Sequence, residues 1–341
     1  MLRRTVPPIL AILLVMIIWI ANDWAVPVPF ASWSGRLQGL ATVFLGIFIE
    51  ALPFLMAGVL VSSAIHLFVT PADLRRLTPR TPLLAALFGA LLGLAFPVCE
   101  CGSIPATRRL LAKGGALPMA IAFALAAPVI NPIVLIATLI AFGSWQMVAW
   151  RAGLTIVIAV LIALVVGVTS RRELLLAPGV VEEQEHALCD HEQHQHHVAL
   201  PTRGSLLQNA EHVLIHARGE LFEMMRYLIA GAMLAALLQT LVPQQPLLLL
   251  GEDRTVSVVV LMLLALILSV CSTVDSFIAL SFAATFTPGA VVAFLVFGPM
   301  IDIKSTLMLT TTFNRRTVAI MALLCAQLSL LAGIAINMLF S

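Results

Sequence analysis

The chain reads Phe96-Pro97-Val98-Cys99-Glu100-Cys101-Gly102-Ser103-Ile104-Pro105 and, much later, Ser269-Val270-Cys271-Ser272-Thr273-Val274-Asp275-Ser276. Each stretch is a polar, cysteine-bearing break that directly follows a long apolar segment. Thiols, carboxylates and hydroxyls at membrane depth are costly in lipid, and they are tolerated where they line a cavity. The two breaks therefore indicate a functional site inside a membrane protein.

The composition supports a polytopic membrane protein. Of the 341 residues, 61% are hydrophobic and 11% are charged, whereas about a quarter of a soluble domain is charged. A single tyrosine and the lack of an extended basic patch argue against a nucleic-acid partner. Five cysteines, two of them one residue apart, do not suggest a secreted disulfide framework.

Hydrophobic segments long enough to cross a bilayer fall at seven places. They are 7–25, 38–69, 116–142, 147–169, 220–242, 289–312 and 317–340. The first is expected to be a retained span, because its apolar run is too long for a cleaved signal peptide. Two further apolar stretches, 82–98 and 255–271, run into the cysteine breaks. The insert 170–204 is polar and predicts a cytoplasmic linker.

The regions on either side of the linker resemble each other. Glu50 and Gly58 have the same spacing as Glu223 and Gly231. Cys99 corresponds to Cys271, and Asn131 corresponds to Asp302. We therefore predict an N-terminal helix and loop at 1–35, a first repeat at 36–169, the linker at 170–204 and a second repeat at 205–341.

The distribution of basic residues favours an inverted arrangement of the repeats. If 82–114 is a re-entrant hairpin, Arg108, Arg109 and Lys113 stay on the cytoplasmic side, as the positive-inside rule requires. A second hairpin at 255–288 does the same for Arg315 and Arg316, and it leaves Arg151 in an outside loop. The prediction is an all-α protein with about seven full spans plus two hairpins. Nine full spans remain the alternative.

Three motifs resemble one known family. They are Pro97-Val98-Cys99-Glu100-Cys101-Gly102-Ser103-Ile104-Pro105, Ala126-Ala127-Pro128-Val129-Ile130-Asn131-Pro132 and Cys271-Ser272-Thr273-Val274-Asp275-Ser276-Phe277. The chain resembles, from about 40 to 340, the predicted-permease family that includes the ArsP organoarsenical efflux permeases. The resemblance implies a multi-pass permease of the prokaryotic inner membrane, and it implies export of trivalent organic arsenicals as one activity.

The thiols are the leading candidates for substrate binding. A thiolate is a soft ligand that suits Cu(I), Zn(II) or trivalent arsenic. Cys99 and Cys101 come close together if the backbone is extended or turned, which the neighbouring prolines and glycine favour, and Cys271 would add a third ligand. The alternative is that these thiols are small buried hydrophobic side chains.

Acidic and polar residues complete the candidate site. Intramembrane carboxylates usually mark ion paths or proton relays, and hydroxyls at the breaks could cap half-helices. The candidates for substrate binding are Cys99, Glu100, Cys101, Ser103, Asn131, Cys271, Ser272, Asp275 and Asp302, and those for coupling are Glu50 and Glu223. The alternative is a structural ion pair, such as Asp302 with Lys304 or Glu223 with Arg226.

The linker carries a tract of metal-ligating side chains. Its candidate ligands for Zn, Cu or Ni are His186, Cys189, His191, His194, His196 and His197. The alternative is a flexible polar linker with incidental metal affinity. The transport function itself requires no cofactor.

The sequence thus predicts a secondary permease that exports a soft, thiol-reactive solute, either a trivalent organoarsenical or a metal species. It contains no nucleotide-binding loop, so it is not itself an ATPase, and no enzyme activity is expected. One alternative is transport of a sulfur-containing or anionic metabolite with structural cysteines. A thiol–disulfide oxidoreductase is disfavoured, because C-x-x-C is the commoner redox spacing. The expected partners are the substrate and the lipid bilayer, and a homodimer is left open.

Overall fold

The computed structural model describes residues 30–68, 74, 78–96, 98–169, 175–177, 205–241 and 254–339. Within these ranges the chain is almost wholly helical. The helices are α1 (Phe30–Phe68), α2 (Pro82–Ala95), α3 (Glu100–Ala112), α4 (Leu117–Ile130), α5 (Pro132–Phe142), α6 (Trp145–Thr169), α7 (Ser205–Leu241), α8 (Arg254–Leu268), α9 (Asp275–Phe282), α10 (Pro288–Met300), α11 (Ile303–Leu309) and α12 (Arg315–Leu339).

Six segments are long and apolar enough to cross a membrane. They are Leu37–Leu60, Leu117–Phe142, Trp145–Val168, Arg218–Leu241, Pro288–Leu309 and Arg315–Leu339. They coincide with six of the seven spans that the sequence predicts, and the seventh, 7–25, lies outside the described residues. Two shorter apolar helices, Pro82–Ala95 and Thr255–Leu268, reach only about 20 Å, less than the roughly 30 Å of a hydrocarbon core.

The helices before and after the linker follow the same order. In both series a long helix (α1, α7) comes first and a short apolar helix (α2, α8) leads into a cysteine break. A helix interrupted at Asn131 or Asp302 follows (α4–α5, α10–α11), and a 25-residue helix (α6, α12) ends the series. The elements are thus arranged in corresponding order around the polar breaks.

Local chemistry explains why the helices are interrupted at these points. Asn131 is the N-cap of α5, where its side chain accepts a hydrogen bond from the Val134 amide at 2.9 Å, and Pro132 follows. Asp302 forms a capping box with Ser305 at the start of α11. Ser269 has a φ of 46°, a left-handed conformation that serine adopts only at a cost.

The two interrupted helices α4 and α10 form the centre of the protein. Every residue of α4 is buried, and nearly all of α10 is buried. α4 packs between α2 and α6, and α10 packs between α8 and α12. The outer helices expose apolar side chains such as Ile140 and Leu331, as lipid-facing surfaces require. The polar breaks therefore lie inside a shell of apolar helices.

Close backbone contact joins α1 to the helix that follows the first cysteine break. A methyl group added at Gly58 would overlap the Cα atom of Gly102. The helices can approach this closely only because both residues lack a side chain.

We expect Gly58→Val to destabilise the fold by about 1–3 kcal/mol, because overpacking must push α1 away from α3. The thermal unfolding midpoint of the purified protein in detergent measures this loss. Gly46→Val is the matched control, since Gly46 is exposed in the same helix and a methyl group there meets nothing within 4 Å. Equal midpoints for the two variants would show that the contact is unimportant.

Candidate functional site at the helix breaks

Side-chain hydrogen bonds join the breaks to one another. Asn131 Nδ2 donates to the carbonyl oxygen of Val98 at 3.2 Å. In the second half, Ser269 Oγ donates to Asp302 Oδ2 at 2.7 Å. The two contacts are equivalent, because each ties a cysteine break to the interruption of the next spanning helix. They provide hydrogen-bond partners for polar groups at the breaks that have no partner within a helix.

The thiols of both halves converge at Cys99. Its thiol lies close enough to those of Cys101 and Cys271 to interact with both. All three cysteines are free and buried. No group of three or more His, Cys, Asp or Glu residues within the described ranges has the arrangement of a metal site.

A small cavity lies beside these thiols. Its volume is about 10 Å³, and it is lined by Phe54, Cys99, Asn131, Ile133, Cys271, Ser272 and Thr273. This is space for about one water molecule. Ser272 Oγ is buried without a hydrogen-bond partner among the described residues. The conformation is therefore closed around its polar centre, and a larger solute would need the helices to separate.

A buried lysine connects the second half to the first. Lys304 Nζ lies 2.8 Å from Glu100 Oε1 and 3.5 Å from Asp302 Oδ2, and all three residues are at most 3% exposed. The predicted pairing of Asp302 with Lys304 is thus present. Sequence reasoning missed the shorter pairing with Glu100, although a lone lysine in an apolar span requires a carboxylate partner.

Two carboxylates near Lys304, those of Glu100 and Glu50, could form further interactions. Glu100 Oε2 is buried and has no hydrogen-bond partner among the described residues. Glu50 lies close enough to Lys304, Glu100 and the Cys271 thiol to interact with all three electrostatically. Glu50 therefore belongs to the central cluster, where it faces a cation and a thiol.

A second buried ion pair contains a residue that the sequence analysis placed wrongly. Arg151 was expected in an outside loop, but it lies within α6 and is completely buried. Its guanidinium binds both oxygens of Asp275, at 3.1 and 2.9 Å, and it also donates to Thr138 and Ser276. An arginine in an otherwise apolar segment was the available signal, since such a charge needs an internal partner.

A third group of charges lies at the far end of α3. Arg108 pairs with Glu223 at 2.9 Å, and Arg109 pairs with Glu220 at 3.5 Å. Ser62 donates to Glu220. Nearby, in the turn after α3, burial and the charge of Arg109 lower the pKa of Lys113 to about 8. Glu223 therefore has a cross-helix partner, and it lies apart from the thiols.

The structure brings most of the predicted site residues together. Those at the central breaks are Cys99, Glu100, Cys101, Asn131, Cys271, Ser272 and Asp302, with Glu50 beside them. The predicted capping role is wrong for Ser103, because Cys99 occupies the N-cap position and Ser103 Oγ bonds within α3 to the Glu100 carbonyl oxygen. It is also wrong for Ser272, because Val274 is the N-cap of α9 and Ser272 Oγ has no partner among the described residues. The tract His186, Cys189, His191, His194, His196 and His197 lies outside the described residues.

Spanning helices that surround a buried centre of thiols, carboxylates and a lysine are typical of a transport protein of the membrane. A family model described as a predicted permease, ArsP_1, matches residues 36–338. The chain belongs to this family of predicted permeases. It is a multi-pass protein of the inner membrane, as the family and the six candidate spans indicate.

Two curated relatives align over most of the chain. The UPF0718 protein YcgR of Bacillus subtilis is 44% identical over 286 residues, which are 84% of this chain and 92% of the relative. A putative two-component membrane permease complex subunit of Streptococcus mutans is 38% identical over 284 residues, covering 83% and 89%. Their names describe membrane permeases or leave the function open, and none names an enzyme. No solved structure matches the chain.

We expect Lys304→Met to destabilise the protein by about 3–5 kcal/mol, because it leaves the buried carboxylates of Glu100 and Asp302 without their cation. The double variant Lys304→Met/Glu100→Gln should recover a large part of this loss, since it removes one of the two charges. Thermal unfolding in detergent measures both variants. A double variant no more stable than the single one would show that the ion pair is not what stabilises this region.

Proposed function

We propose that the protein is a secondary permease that exports a soft, thiol-reactive solute, either a trivalent organoarsenical or a metal species. The observation that carries this proposal is the convergence of Cys101 and Cys271 on Cys99 at the meeting point of the helix breaks. Free thiols from both halves of the chain are available there for exchange with a soft centre. No other feature of the described residues offers a comparable set of soft ligands.

We also propose that the two halves are inverted repeats whose cysteine segments are re-entrant. Two contacts support this arrangement. Thr78, before α2, bonds to Met119, after α3, so the first segment starts and ends on one face. Ser257, in α8, bonds to Thr287, after α9, so the second segment also returns to its starting face. Nine full spans would instead separate the ends of each segment.

The two faces follow from the helices that connect them. We name the face where α3 ends and α4 begins the first face, and the face where α9 ends and α10 begins the second face. Span α4–α5 leads from the first to the second, and α6 returns, since Gly167 packs against Pro118. The basic residues at 80, 108, 109, 113, 315 and 316 then belong to the first face, which the positive-inside rule assigns to the cytoplasm.

Within this proposal, Glu50 carries the coupling proton. Its carboxylate faces both Lys304 and the Cys271 thiol, so its protonation would change the charge balance beside the substrate thiols. An intramembrane acid in contact with the binding site can link proton exchange to substrate release. Glu223, the matching acid of the second half, is proposed as an accessory in the same pathway.

A sulfur-containing or anionic metabolite is the second candidate substrate. It is favoured by the helix N-termini that begin at the breaks, since α3, α5, α9 and α11 all start there. Helix N-termini carry partial positive charge and bind anions. The buried Lys304 adds a full positive charge, although Glu100 and Asp302 offset it.

Two further proposals concern partners. The Streptococcus mutans relative is named as a subunit of a two-component complex, and we propose that this chain also works with a second membrane component. A homodimer is the simpler alternative. The histidine tract of the linker is proposed to bind Zn, Cu or Ni at the cytoplasmic mouth, as an accessory to transport.

The test of the thiol site is uptake of a trivalent organoarsenical into everted membrane vesicles. We expect uptake by the wild type and a loss of at least about tenfold in the Cys99→Ser/Cys101→Ser/Cys271→Ser variant, because a hydroxyl is a poor ligand for a soft centre. Cys325→Ser is the matched control, since Cys325 is a buried thiol of α12 that bonds to Met300 and does not belong to the group of three thiols. Wild-type rates in the triple variant would remove the thiols from the mechanism.

The test of coupling is Glu50→Gln in the same vesicles. We expect uptake driven by a proton gradient to be lost while substrate exchange without a gradient continues, because glutamine preserves shape but carries no proton. Glu50→Asp, which retains the carboxylate, should keep part of the driven uptake. Normal gradient-driven uptake by Glu50→Gln would assign the coupling to another group.

A further inference from the structure

Among the described residues, four ion pairs join the first half of the chain to the second. They are Arg108–Glu223, Arg109–Glu220, Arg151–Asp275 and Lys304–Glu100, with N–O distances of 2.9, 3.5, 2.9 and 2.8 Å. In each pair one partner lies within 36–169 and the other within 205–341. Buried ion pairs across an interface oppose separation of its two sides, because separation leaves both charges without their partners.

Three of these pairs involve α3 and α9, the helices that follow the two cysteine breaks. We call these two helices the arms of the cysteine segments. α3 carries Arg108 and Arg109, and it is tied through them to α7 of the other half. α9 carries Asp275, and it is tied through this residue to Arg151 in α6. Each arm is therefore fastened to the opposite half of the protein, and each begins at a cysteine break.

The two sets of pairs lie on opposite sides of the thiols. Arg108 and Arg109 are about 14 Å along α3 from Cys99 at 1.5 Å per residue, toward the first face. Asp275 and Ser276 contact Thr138 and Arg151, and Thr138 lies in α5, which runs from the central break toward the second face. The thiols and the small cavity thus lie between two layers of charge.

We infer that α3 and α9 are the two gates of the permease, with the Arg108–Glu223 and Arg109–Glu220 pairs closing the first face and the Arg151–Asp275 pair closing the second. This inference rests on the proposed re-entrant arrangement of the two segments. Release of one set of pairs lets its arm move and exposes the thiols to one face. The other set stays intact, so the site does not open to both faces at once.

The two gates differ in the cost of opening. Arg151 and Asp275 have side chains that are 0% and 3% exposed, so their separation would leave two buried charges without partners, which is strongly unfavourable. Glu223 is 34% exposed, and water can solvate it when it leaves Arg108. Arg109 and Glu220 are 12% and 4% exposed, so the first gate combines a buried pair with one that water can reach, whereas the second gate is buried throughout.

The labelling rates of the native thiols show which gate is open. This measurement does not require the substrate to be known. The background protein carries Cys189→Ser and Cys325→Ala, so that labelling is confined to Cys99, Cys101 and Cys271. A membrane-impermeant maleimide is added to right-side-out and to everted vesicles. Peptide mass spectrometry then gives the labelling rate of each thiol from each face.

Each gate is weakened by neutral substitutions of matched shape. Arg151→Gln/Asp275→Asn removes both charges of the second gate, which avoids a lone buried charge. Arg108→Gln/Glu223→Gln removes one of the two ion pairs of the first gate and leaves Arg109–Glu220 in place. Arg316→Gln is the control, because Arg316 is an exposed arginine outside these pairs. Only variants that elute as a single folded species by size exclusion are compared.

The expected result is a change specific to one face. The second-gate variant should label at least about tenfold faster than the background protein from the second face, with no increase from the first. The first-gate variant should label faster from the first face alone, by a smaller factor of about two to five. The Arg316 control should label at the background rate from both faces.

Two outcomes would overturn the inference. Unchanged labelling in both variants would show that the pairs only hold the halves together. Faster labelling from both faces in one variant would indicate general loosening and not a gate. Failure of arsenical uptake with the expected labelling would reject the proposed substrate and leave the gates in place, so the two proposals fail separately.

Discussion

The constraint on which the structure depends is the need to satisfy every backbone and side-chain polar group away from lipid. Interrupted helices release such groups at the cysteine breaks, at Asn131 and at Asp302. The protein meets the requirement by bringing the interruptions together, where Asn131 bonds to Val98 and Asp302 bonds to Ser269. A polar centre enclosed by apolar helices is the consequence.

The charges follow from the same constraint. Lys304 and Arg151 are buried almost completely, and each binds a carboxylate from the other half of the chain. A buried pair contributes less to stability than its attraction suggests, because both charges lose their hydration. Its main effect is on how the two halves associate, since any other register would leave a buried charge without its partner. The same pairs are suited to control opening, because their release is costly and local.

The closed centre keeps the thiols of the proposed transport site away from solvent. Cys99, Cys101 and Cys271 are buried and lie beside a cavity of about 10 Å³. Reagents in the bulk solvent cannot reach them in this conformation. Access therefore depends on movement of the arms, so that the reactivity of the thiols and the transport cycle would be controlled by the same event.

The sequence alone determined the membrane class, six of the spans, the positions of the breaks and the family, because hydrophobic length and polar interruptions are local properties of the chain. It also allowed the pairing of Asp302 with Lys304, two residues apart, as an alternative to a substrate-binding role for Asp302. Only the tertiary structure decided that Glu100 is the nearer partner of Lys304, that Arg151 is buried against Asp275, and that Glu223 lies with Arg108 apart from the thiols. These partners are more than a hundred residues apart in the chain, and their choice depends on how the two halves pack, which no local pattern encodes.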